Sequence, residues 1–342
     1  MTRSAPISAI GFVLLVSCGT PPPANPPAEK TAVTDPLPSW NDGPSEQAIT
    51  SFVSRVTKDG DLGYIPPAER IATFDNDGTL WSEQPLYFQF LYAFDRVREL
   101  APTHPDWKTK EPFKAAIADD LKGALGSGEK GLVTLWNASG TGLTTEESNA
   151  AVSTWIAKAR HPKTQRLYTE MVYQPMLELL TYLRANGFKT FIVSGGGIDF
   201  MRPWTERVYG IPPEQVIGTV LNSQYSDTNG KAAINIVPGL VLLDDGPGKP
   251  VGIYRGIGRR PVFAAGNSDG DREMLEYTTS GAGSRFAMIV HHTDAEREFA
   301  YDRDSPIGRL NKTLDQAQTA RWTVVDMKQE LFDDFQRGSI TR

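Results

Sequence analysis

The segment from residue 71 to residue 80 has the sequence IATFDNDGTL, in which four residues suited to a buried strand are followed at once by an acidic turn. A short apolar run of this kind is typical of a strand in a parallel sheet that is covered on both faces. Asp75 and Asp77 are separated by one residue and cannot both face a core, and Gly78 permits the backbone angles of a tight turn. The segment therefore predicts a buried strand whose carboxyl end carries two carboxylates.

The pattern along the rest of the chain predicts an α/β fold. Further strand-like runs occur at residues 190–193, 216–221, 234–243, 262–265, 286–290 and 323–325, with helical patterns at 175–187 and 272–277. This alternation indicates a doubly wound, mainly parallel sheet. Residues 85–164 show helical patterns without a convincing strand, which predicts an inserted helical cap. We thus expect a catalytic core of residues 45–84 and 165–342 that carries a cap of residues 85–164.

Polar side chains follow three of the predicted strands, namely Asp75, Ser194, and the group Asn267, Asp269 and Asp271. Parallel strands end at one edge of their sheet, where ligands bind in folds of this class. Carboxylates gathered at such an edge repel one another unless a cation or a shared proton relieves them. Oxygen ligands favour Mg²⁺, so the pattern predicts a magnesium site.

The order of these segments resembles the haloacid dehalogenase superfamily, most closely its phosphoserine-phosphatase-like branch. The sequence DNDGT at residues 75–79 is similar to the first motif of that family, and Ser194-Gly195 to the second. Lys249 in Gly248-Lys249-Pro250 is similar to the third motif, and GNSDGD at residues 266–271 to the fourth. The resemblance implies a magnesium-dependent phosphatase that hydrolyses small phosphomonoesters through an aspartyl-phosphate intermediate.

The resemblance also implies roles for the catalytic residues. Asp75 would attack phosphorus, and Asp77 would protonate the leaving oxygen and later deprotonate the attacking water. Ser194 would donate a hydrogen bond to a phosphoryl oxygen, and Lys249 would neutralise charge on the nucleophile and the phosphate. The presence of Asp77 favours phosphoryl transfer over carbon–halogen cleavage, although a phosphomutase uses the same acid.

By the same resemblance, Mg²⁺ would be held by Asp75, by the main-chain carbonyl of Asp77, and by the fourth motif through Asn267 and Asp271. The family commonly has an aspartate at the position of Asn267. The amide oxygen of Asn267 could still ligate the ion, or Asp269 could replace it. The loss of one negative charge should weaken metal binding.

Three further residues are candidate substrate contacts: Gly195, Glu83 and Arg202. Glu83 lies eight residues after Asp75 and resembles the acidic substrate contact of the family at the cap hinge, although a solvated surface carboxylate would also fit. Arg202 could contact substrate or merely cover a helix. The cap would select the substrate, and the resemblance is weakest there.

Two other functions are compatible with parts of the sequence. Residues 266–270 match the Gly-x-Ser-x-Gly elbow of a serine esterase, with Ser268 as nucleophile and His291 or His292 as base. That hypothesis lacks an oxyanion motif and leaves the paired aspartates without a role. The altered fourth motif at Asn267 is also compatible with a binding lipoprotein that has lost activity.

The amino-terminal residues predict export and a lipid anchor. Residues 1–17 have the character of a signal peptide, and Cys18, the only cysteine of the chain, follows a segment that resembles a bacterial lipobox. Residues 18–44 contain eight prolines after Gly19 and predict an extended tether. The formal charge of −6 and the lack of a basic stripe argue against nucleic-acid binding.

Overall fold

The computed structural model describes residues 1–2 and 35–331. Its contacts divide the chain after Asp35, and the larger compact unit begins at Pro36. The predicted lipidation site Cys18, the signal peptide beyond Thr2 and most of the predicted tether lie outside the described residues. Within the described part, no helix has both the length and the apolar character needed to cross a membrane.

The described residues form a seven-stranded sheet in the order β4-β3-β2-β1-β5-β6-β7. Its strands are β1 (Ile71–Phe74), β2 (Lys189–Gly197), β3 (Val216–Thr228), β4 (Lys231–Leu242), β5 (Phe263–Gly266), β6 (Phe286–His291) and β7 (Thr323–Asp326). All neighbouring pairs are parallel except β3 and β4, which are antiparallel. The prediction of a doubly wound, mainly parallel α/β sheet is confirmed.

Helices surround the sheet and fill the long insertion after β1. The insertion holds α2 (Phe88–Leu100), α3 (Phe113–Ile117), α4 (Leu121–Gly126), α5 (Gly128–Gly140) and α6 (Thr145–Ile156). The other helices are α1 (Pro44–Thr57), α7 (Gln174–Ala185), α8 (Ile198–Tyr209), α9 (Gly248–Gly256), α10 (Arg272–Thr279), α11 (Lys312–Ala320) and α12 (Met327–Glu330). The insertion is therefore helical, as expected.

Both faces of the sheet are covered by helices. One face packs with α1, α7 and α8 in a core that includes Phe52, Phe74, Leu180, Trp204 and Phe263. The other packs with α9, α10 and α11 in a core that includes Ile71, Val193, Ile253, Leu275 and Ala317. Because apolar side chains occupy both faces, the strand ends are the places where polar groups of the sheet can gather.

The antiparallel direction of β4 follows from the turn that precedes it. Asn229 and Gly230 form a two-residue loop, and both have positive φ angles, of 56° and 76°. This is the geometry of a type I′ turn, whose twist suits a tight hairpin. The apolar run at 234–243 predicted a strand without indicating its direction, and the Asn-Gly pair supplies that information.

The last residues of the predicted tether are part of the compact unit. Leu37 and Trp40 are buried, and the indole Nε1 of Trp40 donates a hydrogen bond to the Pro175 carbonyl at 3.0 Å. Pro44 begins α1, where a fixed φ angle favours the first helical turn. Packing of two large apolar side chains outweighs the local preference of a proline-rich sequence for an extended chain.

Candidate active site

Lys249 joins the strand ends at the centre of the site. It lies on the first turn of α9, and its ammonium group donates to Asp75 Oδ1 at 2.7 Å, to Asp271 Oδ1 at 2.5 Å and to the Val193 carbonyl at 3.0 Å. These partners come from the end of β1, the loop after β5, and β2. The three donors of the ammonium group are thus all used, and the segments that resemble the first, second, third and fourth motifs meet at one point.

The electrostatic balance at Lys249 is unusual because the three ionisable groups are all buried. Burial raises the pKa of Asp75 well above its ordinary value, and the neighbouring Asp271 raises it further, while Lys249 opposes both. Burial alone would lower the pKa of Lys249, but Asp271 and Asp75 hold it above its ordinary value. The lysine therefore stays charged and favours the ionised form of Asp75.

Asp77 occupies the turn that follows Asp75. Its Oδ1 accepts a hydrogen bond from the Trp81 indole at 2.8 Å, and the turn is closed by the Gly78 amide donating to the Trp81 carbonyl at 2.8 Å. Gly78 has a φ angle of 75°, and a Cβ there would lie 2.1 Å from the Asn267 amide nitrogen. Burial raises the pKa of Asp77 to about 6, against the opposing effects of Trp81 and Lys249. Asp77 can therefore hold or release a proton near neutral pH.

Asp271 organises the loop after β5. Its Oδ2 accepts hydrogen bonds from the main-chain amides of Asn267 at 2.8 Å and Ser268 at 2.9 Å, while Oδ1 accepts from Lys249. Asp271 thereby holds Lys249 and the loop in place. Because a carboxylate oxygen can accept more than one bond, its role as a metal ligand stays a prediction.

Asn267 and Glu83 form a second buried cluster beside the turn. The Asn267 amide donates to Glu83 Oε1 at 2.7 Å, and its oxygen accepts from the Thr79 hydroxyl at 3.0 Å. The Tyr301 hydroxyl also donates to Glu83 Oε1, at 2.8 Å. Glu83 is 1% exposed, and burial raises its pKa well above the ordinary value although the hydrogen bond from Tyr301 opposes the shift. The predicted substrate contact is thus part of the inner wall of the site.

The cap covers the end of β2. Gln89 of α2 accepts a hydrogen bond from the Gly197 amide at 2.7 Å, and a Cβ at Gly197 would lie 2.3 Å from the Trp136 ring of α5. A Cβ at Gly196 would lie 3.3 Å from Ser194 Oγ and 3.6 Å from Asp77 Oδ2. Ser194, Asp77 and Gln89 therefore border one space beneath the cap. The sequence did not indicate Gln89 or Trp136, because nothing along the chain marks which cap residues face the sheet.

Ser194 and Gly195, which form the second motif, make hydrogen bonds that hold the end of β2. Ser194 Oγ accepts a hydrogen bond from the Gly196 amide at 3.0 Å, and the Gly195 carbonyl accepts from the Thr219 hydroxyl at 2.7 Å. The register of β2 against β3 shifts between Ser194 and Gly197. The shift lets this end of β2 curve towards the cap, where Gly195 remains a predicted substrate contact.

Arg202 hydrogen-bonds to main-chain carbonyls, and its contact with substrate stays a prediction. Its guanidinium donates to the Pro213 carbonyl at 3.0 Å and to the Val216 carbonyl at 3.3 Å. Val216 begins β3, so these bonds lie at the amino end of a strand that runs parallel to β2. The alternative that Arg202 covers local backbone describes it better.

Ser268 lacks the contacts of an esterase nucleophile within residues 35–331. Its hydroxyl bonds to Asp271 Oδ2 at 3.3 Å and accepts from the Gly270 amide at 3.2 Å. His291 faces Asp302 at 3.4 Å, and His292 bonds to other groups. The serine caps the turn after β5, so the motif match has a structural explanation.

His292 contacts the main chain of the turn that contains Asp77 and Gly78. Its Nε2 donates to the Gly78 carbonyl at 2.7 Å, and its Nδ1 is 3.0 Å from Glu298 Oε2. The Tyr173 hydroxyl donates to the other oxygen of Glu298, and the Tyr301 ring stacks on the imidazole with 4.4 Å between centroids. His292 and Gly78 are 214 residues apart in sequence, so no local pattern could reveal this contact.

The oxygen donors in the site fit Mg²⁺. The pKa of Asp75, of Asp77 and of Glu83 is raised, because burial and neighbouring carboxyl groups disfavour their ionised forms, and a bound cation would favour those forms. Among the described residues, no three His, Cys, Asp or Glu side chains are grouped as metal ligands by themselves. The ion would therefore rely on Asp75, the Asp77 carbonyl, the Asn267 amide oxygen, water and substrate oxygens, which suits magnesium.

The chain is similar to several solved structures and matches one protein-family model. A structure of a conserved, functionally unknown protein from Anaerococcus prevotii DSM 20548 is 15% identical and has a TM-score of 0.51, with 80% of this chain and 88% of that chain covered. A protein of unknown function from Bordetella pertussis Tohama I is 18% identical over 76% of this chain and 99% of its own, with a TM-score of 0.46.

A phosphoserine phosphohydrolase-like protein from Francisella tularensis is 15% identical over 65% of this chain and 87% of its own, with a TM-score of 0.35. No functionally curated protein matches the chain. The family model described as haloacid dehalogenase-like hydrolase matches residues 72–276, a range that contains every one of the four motifs. The chain therefore belongs to the haloacid dehalogenase-like hydrolase family, as its motifs predict.

Proposed function

We propose that this hydrolase is a Mg²⁺-dependent phosphatase that cleaves small phosphomonoesters through an aspartyl phosphate on Asp75. The observation that carries the proposal is the contact of Lys249 with both Asp75 and Asp271. It keeps one oxygen of Asp75 engaged and leaves Oδ2 as the attacking atom. Asp77, two residues further on, has its pKa raised by burial to about 6, so it can both donate and accept a proton near that pH.

In the first step Asp75 Oδ2 attacks phosphorus, and the bond between phosphorus and the ester oxygen breaks. Asp77 gives its proton to that departing oxygen, so the alcohol leaves uncharged. Lys249 donates to Asp75 Oδ1 at 2.7 Å and favours the ionised form that attacks; its charge would also favour the negative charge that develops on the phosphoryl group. The Ser194 hydroxyl would donate to a phosphoryl oxygen in the space that it borders with Asp77 and Gln89.

In the second step Asp77, now a carboxylate, takes a proton from a water molecule that attacks the phosphorus. The bond between phosphorus and Asp75 breaks, phosphate leaves, and Asp77 is again protonated. When bound, Mg²⁺ held by Asp75, the Asp77 carbonyl and Asn267 would neutralise charge on the phosphoryl group. Gln89 and Trp136 of the cap lie against the end of β2, where they would limit the access of bulk water and favour a small ester.

The proposal is tested by hydrolysis of an aryl phosphate by the full chain, with Mg²⁺ and with a chelator. We expect activity that requires Mg²⁺ and is lost in Asp75→Asn, while Asp106→Asn, on the exposed cap surface, serves as the matched control and retains activity. Hydrolysis that survives chelation or Asp75→Asn would refute the mechanism. Ester cleavage that requires Ser268 would favour the esterase instead, and binding without hydrolysis would favour an inactive binding protein.

We also propose that the protein is exported and anchored by lipid on Cys18, on the strength of the signal-like residues 1–17 and the proline-rich segment that follows. The compact unit begins at Pro36, so a lipidated Cys18 would be separated from it by a short chain segment. Metabolic labelling with a fatty acid should mark the wild-type protein and not Cys18→Ser. Equal labelling of both, or of neither, would refute the anchor.

A further inference from the structure

Trp81 is held in place by aromatic side chains on two sides. It is fully buried, and its ring stacks on the Trp204 ring of α8, with 4.4 Å between the centroids and 23° between the planes. The Phe88 ring, at the start of the cap helix α2, packs against it edge-on at 4.8 Å. Its main chain is held as well, because the Trp81 carbonyl accepts a hydrogen bond from the Gly78 amide at 2.8 Å. Packing therefore fixes the direction in which the indole N–H points.

The indole of Trp81 in turn holds the carboxyl group of Asp77. Its Nε1 donates to Oδ1 at 2.8 Å, and an indole N–H is a donor only. Oδ1 accepts this bond whether or not Oδ2 carries a proton, so the contact does not depend on the ionisation of Asp77. The bond restricts rotation of the carboxyl group and leaves Oδ2 as the oxygen directed away from the indole.

Oδ2 of Asp77 borders the space in which the substrate would bind. The position that a Cβ on Gly196 would take lies 3.6 Å from Asp77 Oδ2 and 3.3 Å from Ser194 Oγ. The same position lies 3.2 Å from Gln89 Oε1 of the cap. Because Ser194 is the proposed contact of a phosphoryl oxygen, Oδ2 is the oxygen of Asp77 that is placed to reach the ester oxygen.

The neighbouring tryptophan indicates that the bond to Asp77 is more than a consequence of packing. Trp204 lies in the same aromatic cluster and is also buried, but within the described residues its indole nitrogen has no hydrogen-bond partner. This cluster thus tolerates an indole that makes no polar contact. The directed bond of Trp81 to the carboxyl group is therefore a separate feature of the site.

We propose that Trp81 positions Asp77 for proton transfer, by holding Oδ1 and thereby directing Oδ2 at the oxygen of the departing alcohol. This inference rests on the proposed phosphatase function. Trp81 acts through Asp77 and is therefore a positioning residue. The requirement for it should depend on the alcohol that leaves, because an alcohol that is stable as an anion needs little help from a general acid.

The test compares two phosphate esters that each carry one aromatic ring, nitrophenyl phosphate and benzyl phosphate. Nitrophenolate leaves readily as an anion, whereas benzyl alcohol has to receive a proton as it leaves. The measured quantity is kcat/KM of the full chain with Mg²⁺, which covers the steps up to release of the alcohol. We expect Trp81→Phe to lower kcat/KM about a hundredfold for benzyl phosphate and less than about fivefold for nitrophenyl phosphate.

Trp204→Phe is the matched control, because it removes the same volume from the same aromatic cluster without the loss of a hydrogen bond. We expect it to change kcat/KM by the same factor for both esters. If Trp81→Phe does not fold, Trp81→benzothienylalanine replaces it, since this residue keeps the bicyclic shape and has sulfur in place of the N–H. The same selective loss for benzyl phosphate is expected.

The results separate this inference from the proposed function. If the wild type hydrolyses both esters in a reaction that requires Asp75, and loss of the indole N–H lowers kcat/KM equally for both, the inference is overturned and the phosphatase proposal stands. A selective loss of the same size in Trp204→Phe would also overturn the inference, because the effect would then come from packing. If the wild type hydrolyses neither ester, the proposed function fails and this inference fails with it.

Discussion

Replacement of Lys249 by methionine should destabilise the folded protein and make its stability respond to acid in a predictable way. Methionine preserves most of the side-chain volume but removes the ammonium group that contacts Asp75 and Asp271. Both carboxylates are buried, at 7% and 0% exposure, so neither can recover its solvation without unfolding. The variant isolates the electrostatic contribution of the lysine.

The expected magnitude follows from the burial of the pair. Removal of one partner from a buried ion pair commonly costs about 3–5 kcal/mol of unfolding free energy, because the remaining charge is uncompensated. The folded variant can relieve this cost by protonating Asp75. Burial and Asp271 already raise the pKa of Asp75, and the variant lacks the Lys249 charge that opposes them. A group whose pKa is higher in the folded state favours folding increasingly as the pH falls. The deficit should therefore shrink under mild acid.

The assay is urea unfolding of wild type and Lys249→Met without divalent cations, near neutral pH and in mild acid. We expect a loss of about 3–5 kcal/mol near neutral pH and a smaller loss in acid. Asp75→Asn in the Lys249→Met background should recover part of the loss, because it removes one of the two unpaired carboxylates. A loss below about 1 kcal/mol, or a deficit that grows in acid, would refute the electrostatic reasoning.

Three further predictions concern residues around this centre. Burial raises the pKa of Asp244 to about 8, and neither of its oxygens has a hydrogen-bond partner within the described chain. The stability that the protonated carboxyl group contributes is full below the pKa of Asp244 in the unfolded chain. It is lost as the pH rises through about 8. Asp244→Asn should accordingly raise the thermal midpoint more in alkaline than in acidic buffer. His292→Ala removes the hydrogen bond from Nε2 to the Gly78 carbonyl and the contact of Nδ1 with Glu298. It should cost about 1–3 kcal/mol of stability and lower kcat, while His292→Gln should recover part of both. Since Asp77 must be protonated in the first step, kcat/KM should fall as the pH rises through about 6.

Each of these predictions has a clear contradiction. An equal change of the midpoint for Asp244→Asn at both pH values would mean that the buried carboxyl does not titrate differently on folding. Equal activity of His292→Ala and wild type would remove the role of the histidine in holding the turn. A pH profile that is flat across the titration of Asp77 would show that its proton is not used in the rate-limiting part of the reaction.

The strand ends were predictable because the geometry of a parallel sheet is regular. An apolar run followed by polar residues marks a carboxyl end, and such ends lie at one edge. That reasoning correctly anticipated that Asp75, Ser194 and the loop at Asn267 would gather, and the order of the motifs added Lys249. These residues are now seen to share one centre through the bonds of Lys249.

Contacts made by side chains across long stretches of sequence were not predictable. The bond between His292 and Gly78 leaves no spacing signal, and the cap residue Gln89 resembles any other polar residue of a helix. The position of Arg202 on α8 likewise does not reveal which end of the neighbouring strand its side chain reaches.

Within the cap, the apolar pattern at residues 113–125 predicts a single helix, and the structure departs from it. The structure divides this stretch into α3 and α4, because Asp119 adopts a φ angle of 57° and the Asp120 side chain caps the next helix by accepting from the Gly123 amide at 2.9 Å. Apolar periodicity continues across such a break, so the pattern alone predicts one helix. The aspartate pair was the available signal, since Asp favours both left-handed backbone and helix starts.

The central claim, that Asp75 becomes phosphorylated during turnover, is tested most directly by acid quenching. The full chain is mixed with Mg²⁺ and an aryl phosphate, stopped in acid at short times, and digested for mass spectrometry. We predict a peptide that contains Asp75 and carries one added phosphoryl group, which disappears when substrate is exhausted and is absent in Asp75→Asn. Hydrolysis at a normal rate with no modified Asp75, or with the phosphoryl group on another residue, would contradict the account.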